Sequence, residues 1–214
     1  MFWLIVLLPT LAVAADDPLG IAKRLQETYD KTSSITAEFR QVTSSRMSRR
    51  VRRGSGKMVI QKPGKMRWDY GEPEPQVIIC DGETILMYFT NAKQMLTAPA
   101  EDYLRSDITY SFFAGTGNIL KDFDIYPPDL TLETDLEPSD DSHSIKLVPK
   151  VKHPQVEYLH VWVDRKHSMI SRMQIVDLFG SITDLYFTHI ETNRKIDRER
   201  FQFTPPPDTE IIRQ

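Results

Sequence analysis

From Ile35 onward the sequence is dominated by short segments whose side chains alternate with a period of two. In the first of them Ile35, Ala37 and Phe39 alternate with polar residues, and this is the side-chain period of a β-strand. The same pattern predicts strands at 35–44, 54–61, 65–70, 76–81, 84–90, 93–97, 144–149, 156–164, 169–177, 182–190 and 199–204. Short turn sequences such as Asp81-Gly82 separate them, which favours an antiparallel meander that curls into a barrel or half-barrel.

Several of these segments are apolar on both faces. In 156–163 large apolar side chains occupy both alternating sets, namely Val156, Tyr158 and Trp162 on one face and Leu159, Val161 and Val163 on the other. A curled sheet uses both apolar faces, one toward its lumen and the other toward a covering helix or partner. The sequence offers two covers, an amphipathic helix over 18–31 and a pair of short helices within 100–121 that contain Phe112 and Phe113.

The helix over 18–31 begins at Pro18, a residue that favours the first helical position. Its predicted apolar face consists of Leu19, Ala22, Leu25, Gln26 and Tyr29. In the second cover, Gly115 and Gly117 interrupt the helical pattern and are candidate pivots. Residues 135–142 contain one proline and several acidic residues, and we expect an exposed loop there.

Residues 1–15, MFWLIVLLPTLAVAA, have the length and the small-residue end of a secretory signal peptide. We expect cleavage after Ala14 or Ala15, which leaves a single domain over 15–214. The formal net charge of −3 gives no reason to expect nucleic acid as a partner. The lone cysteine, Cys80, excludes an intramolecular disulfide and lies in an apolar segment where we expect it to be buried.

Catalytic and metal-binding patterns are missing from the sequence. The five histidines lack metal-ligand spacing to one another or to Cys80, and no serine lies in a strand–turn–helix nucleophile motif. We therefore expect no catalytic residue, no metal and no cofactor, and so a protein that is not an enzyme.

A run of arginines interrupts this otherwise acidic chain between the first two predicted strands. It consists of Arg46, Arg49, Arg50, Arg52 and Arg53. Two interpretations remain open: a solvated hairpin tip, or a docking element for anionic lipid headgroups or an acidic partner surface.

Four sequence segments, in register along the chain, narrow the choice of protein family. They are GSGKMVIQKP with MRWDY at 54–63 and 66–70, PQVIICDG at 75–82, DLFGSIT at 177–183, and FQFTPP at 201–206. Together they resemble the LolA family of periplasmic carriers of outer-membrane lipoproteins, and the resemblance extends over essentially the whole chain after the leader.

The resemblance implies a fold that is mainly β with some α, an incomplete antiparallel β-barrel covered by a helical lid. It also implies a monomeric periplasmic chaperone of a Gram-negative bacterium. Such a carrier takes acylated lipoproteins from an inner-membrane ABC transporter and delivers them to an outer-membrane acceptor lipoprotein, with only transient contacts to membrane proteins. Two alternatives are a binder or sensor of another lipid on the same fold, and an envelope hydrolase on a related barrel.

On this basis we expect an acyl-binding concavity lined by apolar strand residues and closed by the lid. The expected lining is Phe39, Met58, Met66, Trp68, Met87, Trp162, Met173 and Tyr186, with Phe112, Phe113, Gly115 and Gly117 in the lid. Where the family commonly has an arginine that ties the lid to the barrel, this chain has Lys62. Lysine lacks the planar fork of arginine, so we expect a weaker or different tie, or a substitute such as Arg67.

Overall fold

The fold is known from a computed structural model that describes residues 17–71, 73–106, 108–113, 115, 117–129 and 141–213. The predicted signal peptide at 1–15 lies outside these residues, as does most of the predicted loop at 135–142.

Strands dominate the described chain, with a few helices beside them. The elements are α1 (Pro18–Lys31), β1 (Ser34–Ser44), β2 (Val51–Gln61), β3 (Lys65–Tyr70), β4 (Gln76–Asp81), β5 (Thr84–Phe89), β6 (Gln94–Pro99), α2 (Ala100–Ser106), α3 (Ile108–Phe113), α4 (Ile119–Asp122), β7 (Phe123–Tyr126), β8 (Ser142–Pro149), β9 (Tyr158–Asp164), β10 (Ile170–Val176), β11 (Ile182–Thr192), a 3₁₀ helix (Arg198–Phe201) and β12 (Glu210–Arg213). The alternation pattern therefore located ten of these strands and missed β7 and β12.

The twelve strands within the described residues belong to one sheet, in the order β12-β6-β5-β4-β3-β2-β1-β11-β10-β9-β8-β7. Neighbours are antiparallel except β12, which lies parallel to β6. The edge strands β12 and β7 do not pair with each other in the part of the chain that the structure describes, so the barrel is open. The predicted fold class, an unclosed antiparallel barrel with a helical cover, is confirmed.

The register of the central strands aligns apolar side chains in rows across one face. One row consists of directly paired neighbours, Ile35, Ile60, Met66, Cys80 and Ile85. None of them is more than 1% exposed. This is the inner face, because the buried side chains of α1, α3 and α4 belong to the same hydrophobic cluster.

Helix α1 forms where its local sequence predicts. The carboxylate of Asp17 accepts hydrogen bonds from the backbone N–H groups of Leu19 and Gly20, at 3.2 and 3.1 Å, and so caps the helix start. Leu25 and Tyr29 are buried in the core as predicted, but Leu19 is 44% exposed. The first turn instead buries Ile21, which is 3% exposed, so the inward side of α1 at its start differs from the predicted one.

The C-terminal segment packs on the outer face of the sheet. Phe201 forms a second, smaller cluster with Val59 and Ile79, and Arg67 donates to the carbonyl oxygens of Arg200 and Gln202 at 3.1 and 3.5 Å. The strand predicted at 199–204 is therefore wrong, since this segment is held by a side-chain anchor and a guanidinium rather than by a strand ladder. Arg67 is also excluded as a substitute lid tie, because its side chain is on the outer face.

Candidate functional site

The centre of the inner face is an aromatic cluster around Trp68, a residue that is 1% exposed. Its ring centroid lies 4.9 Å from Phe39 on β1 and 6.3 Å from Phe187 on β11. From the helical side, Phe113 and Tyr110 approach it to 5.9 and 5.8 Å. The sheet and its helical cover thus meet in a packed apolar interior.

Six of the eight predicted lining residues lie on this inner face. They are Phe39, Met58, Met66, Trp68, Met87 and Met173. All are buried except Met87, which is half-buried and packs against the same cluster. The structure thus brings them together, while their binding of acyl chains stays a prediction.

The other two predicted lining residues, Trp162 and Tyr186, lie on the outer face. Both are directly opposite Arg172 in the register, and its guanidinium carbon lies 4.1 Å and 5.0 Å from the centres of their rings. The predicted inward orientation is wrong for these two, because alternation defines two faces but not which one is covered. Here the two aromatic rings stack on a guanidinium, so the outer face has large aromatic residues at positions where a core would also have them.

The helices α1 to α4, together with Gly115 and Gly117, form what we call the lid. Phe113 is 1% exposed and Phe112 is 8% exposed. Phe112 lies 4.6 Å from Tyr29 on α1, and Phe113 lies 5.3 Å from Phe187 on the sheet, both measured between ring centroids. The two phenylalanines therefore connect the parts of the lid to each other and to the inner face.

Buried polar contacts join the two ends of the lid. The side-chain oxygen of Gln26 on α1 accepts from the backbone N–H of Ile119 on α4 at 2.8 Å, and its amide donates to Asp30 at 2.7 Å. Gln26 is 6% exposed. A buried amide with both of its ends bonded fixes the position of α4 on α1.

The two glycines that follow α3 differ in their backbone conformation. Gly115 has a φ of +77°, a conformation that favours glycine, and a Cβ there would lie 2.8 Å from Cδ of Lys62. Gly117 has no such φ, and its N–H donates to the carbonyl of Ser111 at 3.0 Å. Both help to form the turn at the end of α3, and their role as pivots stays a prediction.

Lys62 connects the sheet with two parts of the lid. Its ammonium donates to the backbone carbonyl of Tyr29, near the C-terminal end of α1, and its methylene stem lies against Gly115. Burial lowers the pKa of Lys62, and the neighbouring carboxylate of Asp30 opposes this effect. Lys62 therefore holds the position expected of a tie, with a single donor to α1 in place of an arginine fork.

Replacing Lys62 with leucine should loosen the lid. The change removes a charge-assisted hydrogen bond and leaves the Tyr29 carbonyl without that donor, at a cost of about 1–3 kcal/mol in lid closure. Hydrogen exchange of the amides of α1 should quicken by about 5- to 150-fold, the same free energy expressed as a ratio. Lys57→Leu, on an exposed outer-face lysine, is the matched control. Unchanged exchange in Lys62→Leu would show that the contact does not hold the lid.

A cavity opens where the lid ends, toward the β1–β2 hairpin. It has a volume of about 510 Å³ and is lined by Gln41, Thr43, Arg52, Arg53, Gly54, Tyr70, Glu74, Pro75, Gln76, Phe89, Asn91 and Ala92. A smaller cavity of about 180 Å³ shares Gln41 and Tyr70 with it and reaches Trp68. Sequence reasoning missed Gln41 and Tyr70, although the period-two pattern places both on the same face as Phe39 and Trp68.

All five arginines of the predicted docking run are exposed, in or beside the β1–β2 hairpin. Arg46, Arg49 and Arg50 lie in the turn, and Arg52 and Arg53 begin β2. The structure thus places them together at the open end of the inner face.

His160 lies at the centre of a cluster of buried polar groups on the outer face and is 1% exposed. Its Nδ1 lies 3.1 Å from Oε1 of Gln174, and its Nε2 accepts from the backbone N–H of Asp129 at 3.3 Å. Because Nε2 accepts, the proton belongs on Nδ1 of a neutral ring. Burial lowers the pKa of His160 against the Gln174 hydrogen bond, and the charge of Lys146 acts in the same direction as burial.

We expect His160 to make stability depend on pH. Its pKa is below 6.5 in the folded chain and near 6.5 in the unfolded chain, so the unfolded state binds the proton first. The stability contribution is present above pH 6.5 and is lost as pH falls from 6.5 toward the folded pKa. Urea unfolding should show this slope in the wild type and lose it in His160→Gln. The control is His167→Gln, at an exposed histidine; equal slopes in all three proteins would contradict the assignment.

No helix within the described residues is long and apolar enough to cross a membrane. Among those residues, no group of three or more histidine, cysteine, aspartate or glutamate side chains could hold a metal ion.

Known proteins are similar to this chain over almost all of its length. Residues 30–204 match the family model described as outer membrane lipoprotein carrier protein LolA. The outer-membrane lipoprotein carrier protein of Methylobacillus flagellatus is 28% identical over 207 residues, which cover 95% of this chain and 96% of that protein. That of Nitrosomonas europaea is 28% identical over 191 residues, covering 89% and 88%.

Among solved structures, an uncharacterized conserved protein from Thermus thermophilus has the same fold. It superposes with a TM-score of 0.55 at 12% identity and covers 92% of this chain and 98% of its own. The likeness supports the open-sheet architecture.

Proposed function

The chain belongs to the LolA family of outer-membrane lipoprotein carrier proteins, and from this premise we propose that it carries acylated lipoproteins across the periplasm. In this proposal it accepts them from an inner-membrane ABC transporter and delivers them to an outer-membrane acceptor lipoprotein. The carrier works as a monomer, performs no chemical step and needs no cofactor. Residues 1–15 direct it to the periplasm, and 15–214 form the single carrier domain.

The observation that carries this proposal is the aromatic contact between lid and sheet at Trp68. The inner face is apolar over its whole centre, yet the lid residues Phe112 and Phe113 cover it. A lipoprotein's acyl chains cost about 0.8 kcal/mol per methylene in water, so a carrier must offer them an apolar surface of this kind. The surface becomes available when the lid moves away.

The packed lid also supplies a reason for release. Lid and acyl chains compete for the same inner-face residues, which we propose to be Phe39, Met58, Met66, Trp68, Met87 and Met173. Closure returns Phe113 to its buried site and so offsets part of the free energy lost when the ligand leaves. A carrier with this competition binds its cargo without holding it irreversibly.

The experiment that tests the proposal is lipoprotein release from spheroplasts incubated with the mature protein. We expect acylated lipoproteins in the supernatant as soluble one-to-one complexes with the carrier. A Phe39→Asp variant places a charge on the inner face and should release none, whereas the outer-face control Lys57→Asp should behave as the wild type.

Retention of lipoproteins in the membrane by folded protein, with a compatible transporter present, would contradict the proposal. If the same protein still bound an apolar fluorescent probe, the inner face would serve another lipid ligand instead.

A further inference from the structure

We propose that the end of the molecule formed by the β1–β2 and β10–β11 turns docks on an anionic lipid bilayer. We call this end the tip and define it as residues 45–53 and 177–181. The inference goes beyond the carrier function, because it concerns a surface outside the inner face and a partner that is lipid rather than cargo.

The tip concentrates positive charge in an acidic protein. Residues 45–53 contain five arginines and no acidic residue, whereas the whole chain has a formal net charge of −3. All five are exposed, and none forms an ion pair with another described residue. Their charges are therefore available to an outside partner.

The tip also concentrates exposed apolar side chains. Of the eight large hydrophobic residues that are exposed in the described chain, four lie here: Met47 at 80%, Phe179 at 69%, Val51 at 49% and Leu178 at 42%. Single exposed apolar residues are ordinary on protein surfaces, but a group of them marks an interaction site.

The two turns are held side by side by the sheet. β1 and β11 pair up to Ser44 and Ile182, and the Arg46 side chain lies against Gly180, where a Cβ would come within 3.0 Å of its Cδ. The carboxylate of Asp177 accepts from the N–H groups of Phe179 and Ser181, each at 2.8 Å. This turn is therefore shaped by its own hydrogen bonds and presents Phe179 to solvent.

The combination of guanidinium groups with apolar side chains favours a bilayer over an acidic protein surface. Lipid phosphates attract the arginines. The boundary between the headgroups and the acyl chains accepts the apolar side chains of Phe179 and Met47. An acidic protein surface would satisfy the charges but leave these apolar groups in water. Docking would also bring the cavity lined by Gln41 and Arg52 against the membrane surface.

Flotation with purified lipid vesicles tests the proposal, and these vesicles contain neither lipoprotein nor transporter, so the result is independent of the carrier function. We expect the protein to bind phosphatidylcholine vesicles that contain about 30% phosphatidylglycerol, and to leave them as salt is raised. Pure phosphatidylcholine should bind far less.

The variants separate charge from apolar contact. Arg49→Ser with Arg50→Ser should weaken binding by about 25-fold, at about fivefold for each charge, and Arg49→Lys with Arg50→Lys should retain it. Phe179→Ser should weaken binding severalfold without changing its salt dependence. Lys195→Ser with Arg198→Ser, on exposed residues that follow the other end of β11, is the matched control and should bind as the wild type.

Two results would overturn the proposal. One is the absence of binding to anionic vesicles, or binding that the tip variants and the control weaken equally. The other is binding only to membrane vesicles that retain their proteins, lost in Arg49→Ser with Arg50→Ser, which would assign the tip to an acidic protein surface.

Discussion

Replacing Trp68 with alanine should lower the free energy of unfolding by about 3–5 kcal/mol, as for other large aromatic residues removed from a core. The indole is 1% exposed and its ring neighbours come from β1, β11 and the lid. These neighbours are anchored on separate elements, so they cannot all move inward to fill the space. The loss should appear in urea unfolding as a lower midpoint with an unchanged slope.

Two comparisons make this result specific. Trp68→Phe keeps an aromatic ring in place and should lose less than half as much stability. Tyr126→Ala removes an aromatic side chain that is 48% exposed and should change stability by less than about 1 kcal/mol. A loss below about 1 kcal/mol in Trp68→Ala would show that the centre of the inner face is not tightly packed.

Serine at both Phe112 and Phe113 should raise the affinity for an apolar ligand by at least about 100-fold, measured by titration with a fluorescent fatty acid. Each ring contributes about 1.5–3 kcal/mol of burial to lid closure. The lid competes with the ligand for the inner face, so this free energy becomes available to binding, at about 1.4 kcal/mol for each factor of ten. The gain ends once the lid is mostly open.

Hydrogen exchange separates lid opening from loss of the fold. The double variant should keep the hydrogen-exchange protection of β3 and lose that of α1. Val151→Ser, at an apolar residue that is 82% exposed, is the control and should leave the affinity unchanged. Weaker ligand binding in the double variant would mean that the two rings contact the ligand and do not compete with it.

Sequence patterns located the elements whose causes are local. Pro18 marks the start of α1, and alternation in 35–44 and 65–70 reflects strands that are buried on one side. Conversely, β7 and β12 are four residues long, too short for a period of two to be recognised. The segment 199–204 resembles a strand in its residues, but Phe201 and Arg67 hold it as a 3₁₀ helix and an extended tail.

The candidate site was predictable in its composition and less so in its geometry. The inner-face residues Phe39, Met58 and Trp68 follow from the strand pattern together with the resemblance to LolA. The outward position of Trp162 and Tyr186 did not, because these two rings stack on Arg172 and so place large aromatic side chains on the outer face. Which face a strand turns inward depends on where the helices lie, and no single strand contains that information.

The sequence alone predicts the class of the chain: a β-meander, an amphipathic helix at its start, a charged run at one turn and four segments typical of one family. The tertiary structure alone decided which apolar face is covered, that Lys62 reaches the carbonyl of Tyr29, and that Phe179 lies beside the arginines. The physical reason is distance along the chain. Helix caps and strand alternation depend on neighbouring residues, whereas these contacts join segments that are far apart in sequence and meet only when the sheet curls.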